Sequence, residues 1–182
     1  CMHGIEVANG AHYFPEAVDW CLEKNLTMMG TSDIHQPIQT DYDFARGEHR
    51  TMTFVFAKNR SESAIREALD AGRTAVWYQD KVIGKEELLR PFFEKSIEVK
   101  EVKRDEKGVT LSITNLTDIP LRLTKTAHDT SLVYFRHYIL KPHTRHTIRV
   151  GFTNGIKGGD MNFEVTNFLT SSNKGLSYTI KI

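Results

Sequence analysis

Cysteine is nearly missing from this 182-residue chain, which has only Cys1 and Cys21. Two cysteines build neither a disulfide framework nor the paired arms of a zinc ribbon. A surplus of one charge is missing too. With 24 basic and 23 acidic residues the net charge is +1, so no bulk field draws nucleic acid or an anionic membrane surface. No apolar run approaches the roughly 18 residues of a membrane-spanning helix. The first residues do not read as a secretory leader, and Cys1-Met2-His3 does not read as a natural start. Internal repeats and low-complexity tracts are likewise lacking. What remains is the composition of a globular protein with a packed core, 40% hydrophobic and 26% charged. The length allows one domain or two small ones.

The character of the chain changes near residue 93. Before it, short apolar strands alternate with helices. Gly4 to Asn9 reads as a strand ending in Asn-Gly, and Pro15 to Lys24 as a helix with proline in its first turn. Leu26 to Gly30 and Thr51 to Ala57 read as strands. Ser61 caps a helix that presents Ala64, Ile65, Ala68 and Leu69 on one face and stops at Gly72. Thr74 to Tyr78 is a further strand, and Lys85 to Phe93 a helix disturbed by Pro91. This alternation predicts α/β units with a parallel sheet. After residue 93 the period becomes two. Ile97 and Val99 are followed, after a phase slip, by Val102. Val109-Leu111-Ile113, Leu121-Leu123, Tyr138 to Leu140, Ile148-Val150, Phe163-Val165 and Tyr178-Ile180-Ile182 follow, with turn residues between them. About seven short strands over roughly ninety residues predict an immunoglobulin-like β-sandwich. The expected domains are therefore 1–93, α/β, and 94–182, all-β.

Chemistry concentrates in Leu26-Thr-Met-Met-Gly-Thr-Ser-Asp-Ile-His-Gln-Pro37. Functional side chains of parallel α/β proteins gather past the carboxyl ends of strands, where the loops open a crevice. Asp33 and His35 fall there. In extended chain an i, i+2 pair points to one side, and carboxylate with imidazole suits zinc, manganese or iron.

The surroundings of this pair resemble a known family. Gly4-Ile5-Glu6-Val7-Ala8-Asn9-Gly10, a helix with Pro15-Glu16-Ala17, and Gly30-Thr31-Ser32-Asp33-Ile34-His35 resemble the end of a PHP-type (polymerase and histidinol phosphatase) phosphoesterase domain. Thr51 to Ala57 and the segment Ala68-Leu-Asp-Ala-Gly-Arg-Thr74 resemble that domain's closing strand and helix. The likeness is greatest to the phosphodiesterase-like members that carry a C-terminal β domain. It implies a distorted (β/α)7 barrel, of which residues 1–93 are the last part. It also implies a cluster of divalent metals with Asp33 and His35 among the ligands, and hydrolysis of a phosphomonoester or phosphodiester. The family's amino-terminal His-x-His and its further ligands have no counterpart here. The chain is therefore expected to be the C-terminal portion of a longer hydrolase, inactive without the missing barrel segment. Its compartment is open between bacterial cytoplasm and periplasm.

Other residues are candidates of a second rank. Glu6, mid-strand in an apolar run, needs a partner and would support the metal ligands, as would Asn9. Arg46, His49 and Arg50, in the long loop after the motif, are candidates to meet the phosphate. His143 and His146 fall on opposite strand faces, and Cys21 packs. Trp20, Trp77, Tyr78, Phe92 and Phe93 read as core or interdomain packing. Barrel strands without neighbours expose open edges, so a homo-oligomer formed by swapping is a further expectation. The alternative function is a non-catalytic β-sandwich module that binds carbohydrate or a surface.

Overall fold

The computed structural model describes residues 2–126 and 130–182. The chain forms two compact units: Cys1–Arg90 with Asn167–Lys174, and Pro91–Thr166 with Gly175–Ile182.

In the first unit β1 (Gly4–Asn9) carries the two-residue β2 (His12–Tyr13) antiparallel on one side and β3 (Thr27–Thr31) parallel on the other. Between them runs α1 (Pro15–Lys24), with proline in the first turn and Asn25 closing it in the left-handed conformation at φ 51°. Asparagine tolerates that conformation better than most residues. Ala17, Val18 and Cys21 of α1 pack with Val7, Ala8 and Met28. Trp20 is not in this core: it is 54% exposed, because a step of about 100° per residue turns it away from the Ala17–Cys21 stripe.

The next strands depart from the expected parallel sheet. β4 (Met52–Val55), β5 (Thr74–Tyr78) and β6 (Lys81–Gly84) form an antiparallel meander. Among the described residues of this unit, the parallel pairs are β1 with β3, and β6 with the second half of β13 (Asp160–Ser171). α3 (Glu62–Asp70) connects β4 to β5, with the Ser61 side chain accepting from the Ala64 amide as the N-cap. Only Ala68 of its apolar face is fully buried, and Ile65 remains 38% exposed. The helix expected at Lys85 to Phe93 is α4 (Glu86–Ser96), which continues past Pro91. Before β4 the chain makes the short α2 (Ile38–Asp41) and a 3₁₀ turn at Phe44–Arg46.

Threonine hydroxyls join β3 to β5, to β4 and to the end of α3. Thr74 Oγ1 donates to the Met28 carbonyl at 2.7 Å, and Thr27 Oγ1 to the Leu69 carbonyl at 2.7 Å. Thr53 Oγ1 accepts from Gly30 N and donates to Gly30 O, each at 2.8 Å. These contacts satisfy backbone groups that the strand ladders leave open. Gly30 is required for the approach, because a Cβ there would collide with Val76 Cγ1.

The second unit is a sandwich. One sheet has the order β10 (Leu132–Val133), β12 (Arg145–Phe152), β8 (Gly108–Asn115), β7 (Ile97–Asp105). The other joins β11 (His137–Leu140), β9 (Leu121–Lys125) and the first half of β13, with β14 (Lys174–Lys181) also on β13. Val109, Leu111, Ile113, Ile148 and Val150 from one sheet, and Leu121, Leu123, Leu140, Phe163 and Val165 from the other, are all buried. That alternation is what two facing sheets require. The phase slip near Val102 is a bulge: the β7–β8 register shifts between Glu101 and Lys103, leaving Val102 63% exposed. Buried Asn115 donates to the Ile119 and Leu140 carbonyls and accepts from the Thr117 amide and hydroxyl, which satisfies its amide fully.

Candidate metal and phosphate site

β1 and β3 end together, with Asn9 opposite Thr31. Past that point Gly10 N donates to Thr31 O at 2.9 Å, with Gly10 in the left-handed region at φ 53°. Thr51 Oγ1 donates to Gly10 O at 2.7 Å. The crossing is thus pinned from both strands and from the start of β4. Ser32-Asp33-Ile34-His35 leaves directly from it.

The structure brings Asp33 and His35 together: His35 Nε2 lies 3.4 Å from Asp33 Oδ1. Simple extended geometry is not the cause. Asp33 takes φ 52°, a turn that aspartate can adopt, and this folds the two side chains toward a common point. Both are open to solvent, His35 at 81% and Asp33 at 60%. A hard carboxylate oxygen and an imidazole nitrogen this close are a donor pair suited to a divalent cation such as zinc, manganese or iron. They fit part of a coordination sphere. Among the described residues there is no group of three or more His, Cys, Asp or Glu that could hold an ion.

Glu6 meets the last residue of β3, from which the Asp33–His35 segment departs. It accepts from Thr31 Oγ1 at 2.7 Å and from Asn9 Nδ2 at 3.0 Å. The Asn9 amide, and after it the Thr31 hydroxyl, hold its carboxyl below the ordinary glutamate range, against a small opposing effect of burial. Glu6 and Asn9 thus meet each other and the last residue of β3. Thr31 is the member of this network that sequence reasoning passed over, although it lies inside the quoted motif. His12 is exposed on β2.

The loop candidates separate. Arg46 pairs with Asp43 at 3.2 Å. Arg50 is exposed and makes no ion pair among the described residues. His49 is held: its ring stacks on Trp77 at 3.7 Å, Nδ1 lies 2.8 Å from Arg50 O and Nε2 2.7 Å from Gln79 O. Both ring nitrogens are thereby engaged by backbone, and the imidazole fastens the loop to the β5–β6 turn. His143 and His146 diverge. The first meets Asp118 at 2.8 Å, and the second meets Thr144 Oγ1 at 2.7 Å.

A carboxylate–imidazole pair thus stands at the carboxyl end of two parallel strands, in a chain whose second unit is a β-sandwich. Residues 96–181 match a family described as an Ig-like domain. Over its whole length the chain is similar, with 70% identity and a TM-score of 0.97, to the crystal structure of a two-domain protein containing a predicted PHP-like metal-dependent phosphoesterase from Bacteroides vulgatus ATCC 8482. This chain spans 53% of the length of that one. No curated protein matches. The chain is thus similar over its whole length to part of a two-domain protein described as containing a predicted PHP-like phosphoesterase, and the sandwich that follows residue 93 is Ig-like over residues 96–181.

Proposed function

We propose that this chain is the C-terminal portion of a PHP-type metal-dependent phosphoesterase. Residues 1–93 supply the last part of its distorted barrel, and residues 94–182 an accessory domain. The observation that carries the reading is the 3.4 Å convergence of Asp33 and His35 past the end of β3, in a chain 70% identical to a protein described as PHP-like. Asp33 and His35 hold a divalent metal, with the remaining ligands on the part of the barrel outside this chain. A metal bound there supplies charge neutralisation to a phosphoester and a water made acidic enough to attack it.

The chain's own residues do the positioning. Glu6 fixes Thr31 and Asn9, and so fixes the point from which the Ser32–His35 turn departs. Arg50, which makes no ion pair among the described residues, is a cation available to a phosphate oxygen. Arg46 would first have to leave Asp43. His49 orients this loop and does not itself meet the phosphate.

The test is an assay of phosphomonoesters and phosphodiesters with manganese or zinc. The isolated chain is expected at background. The longer protein is expected to turn over, and Asp33→Asn to lower its rate by about a hundredfold or more, as removal of a ligand from a catalytic metal does. Robust turnover by the isolated chain contradicts the reading, as does an unaffected Asp33→Asn protein. The Ig-like match is also compatible with a binding module for carbohydrate or a surface, which predicts no turnover in either form.

A further inference from the structure

The ring of His49 lies between two backbone carbonyls. Nδ1 is 2.8 Å from Arg50 O and Nε2 is 2.7 Å from Gln79 O. A carbonyl oxygen only accepts, so both ring nitrogens have to donate. A neutral imidazole has one N–H and one lone pair, whereas the imidazolium has two N–H groups. Only the imidazolium satisfies both contacts. The Trp77 ring, stacked on it at 3.7 Å, favours the same form, because an aromatic face attracts a cation. His146 is the contrast: its Nε2 accepts from the Lys141 amide at 3.1 Å, which requires a lone pair.

The same ring ties down its loop. Among the described residues, the hydrogen bonds and the ion pair of residues 42–48 close within the loop or onto α2. The His49 ring crosses instead to the turn between β5 and β6. The charged and titratable groups of the elements around it are otherwise engaged or exposed. In the loop, Glu48 accepts from the Asp43 amide, Arg46 pairs with Asp43, and Arg50 is exposed. In β5 and the turn, Tyr78 donates to Ala11 O, and Asp80 pairs with Lys81.

We propose that His49 is a proton-operated clasp, closed when its ring carries two protons and loosened when it loses one. Deprotonation leaves a lone pair facing a carbonyl oxygen, so the ring has to give up one contact. The closed loop thus binds one proton more than the open one. Closure is favoured as pH falls, and is lost as pH rises through the titration of the ring. The loop carries Arg46 and Arg50, so closure sets where these two cations stand. The clasp does not rest on the phosphoesterase reading, because none of its contacts involves Asp33 or His35.

NMR of the isotopically labelled chain across the pH range tests it. The amides of residues 43–47, which make no hydrogen bond to the ring, are expected to shift with the same midpoint as the His49 ring. The open fraction of the loop is expected to rise about tenfold or more across that step, as loss of one hydrogen bond to a charged group gives. In His49→Gln, whose side chain does not titrate, the step is expected to vanish while the other histidines titrate as before. A wild type in which only His49, Arg50 and Gln79 respond overturns the proposal, because the neutral ring then keeps the loop closed. So does a step of the same midpoint and size that survives in His49→Gln.

Discussion

Glu6 shows how a single acidic residue earns a place inside an apolar strand. Between Ile5 and Val7 it would be costly if unpartnered, but the Asn9 amide and the Thr31 hydroxyl each give it a hydrogen bond. Its carboxyl is held below the ordinary glutamate range, which makes folding pH-dependent in a definite direction. A depressed folded value stabilises the protein above the unfolded glutamate range, and that contribution is lost as pH falls through the folded value. Urea midpoints measured down through the acid range should fall in the wild type and fall less steeply in Glu6→Gln. Equal slopes would show that Glu6 is not linked to folding. The sequence made Glu6 legible as a residue in need of a partner. It did not show which partner, because Thr31 lies 25 residues away and comes near only through the parallel β1–β3 register.

At the scale of elements, close approach decides what the pattern alone leaves open. Gly30 is a short break in an apolar strand by sequence, and a backbone crossing in the structure. A Cβ at this position meets Val76, with Thr51 Cγ2 3.1 Å away. Gly30→Ala is therefore expected to destabilise the first unit by about 1–3 kcal/mol, the range of overpacking in a tight interior. A denaturation midpoint equal to the wild type would contradict this contact. α1 and α3 were legible because their ends carry chemistry of their own, Pro15 and Asn25 for one and Ser61 for the other. The antiparallel meander was not. The turn between β5 and β6 places Gln79 at φ 50°, where hairpins ordinarily use asparagine or glycine, so Asp80 alone marked it and the hairpin signature was missing. β7 was legible even in its fault, since the slip at Val102 is a bulge that the period-two pattern records.

At the scale of the whole molecule, the second unit reads from its alternation and the first from its motif. The return of residues 167–174 to the first unit leaves no mark, because β13 is a single strand of twelve residues whose two halves have similar composition. The candidate site was legible at Asp33 and His35, where spacing and strand end coincide. It was less so at His49, whose stacking on Trp77 joins residues 28 positions apart. The proposed function requires that Asp33 and His35 grip a divalent cation. Titration of the isotopically labelled chain with manganese(II), followed by NMR, tests this most directly. Broadening is expected to begin at Asp33, His35 and the adjoining Ser32 and Gly10. Broadening that begins instead at another carboxylate–imidazole pair such as Asp118 and His143, or that spreads uniformly over the surface, would contradict it.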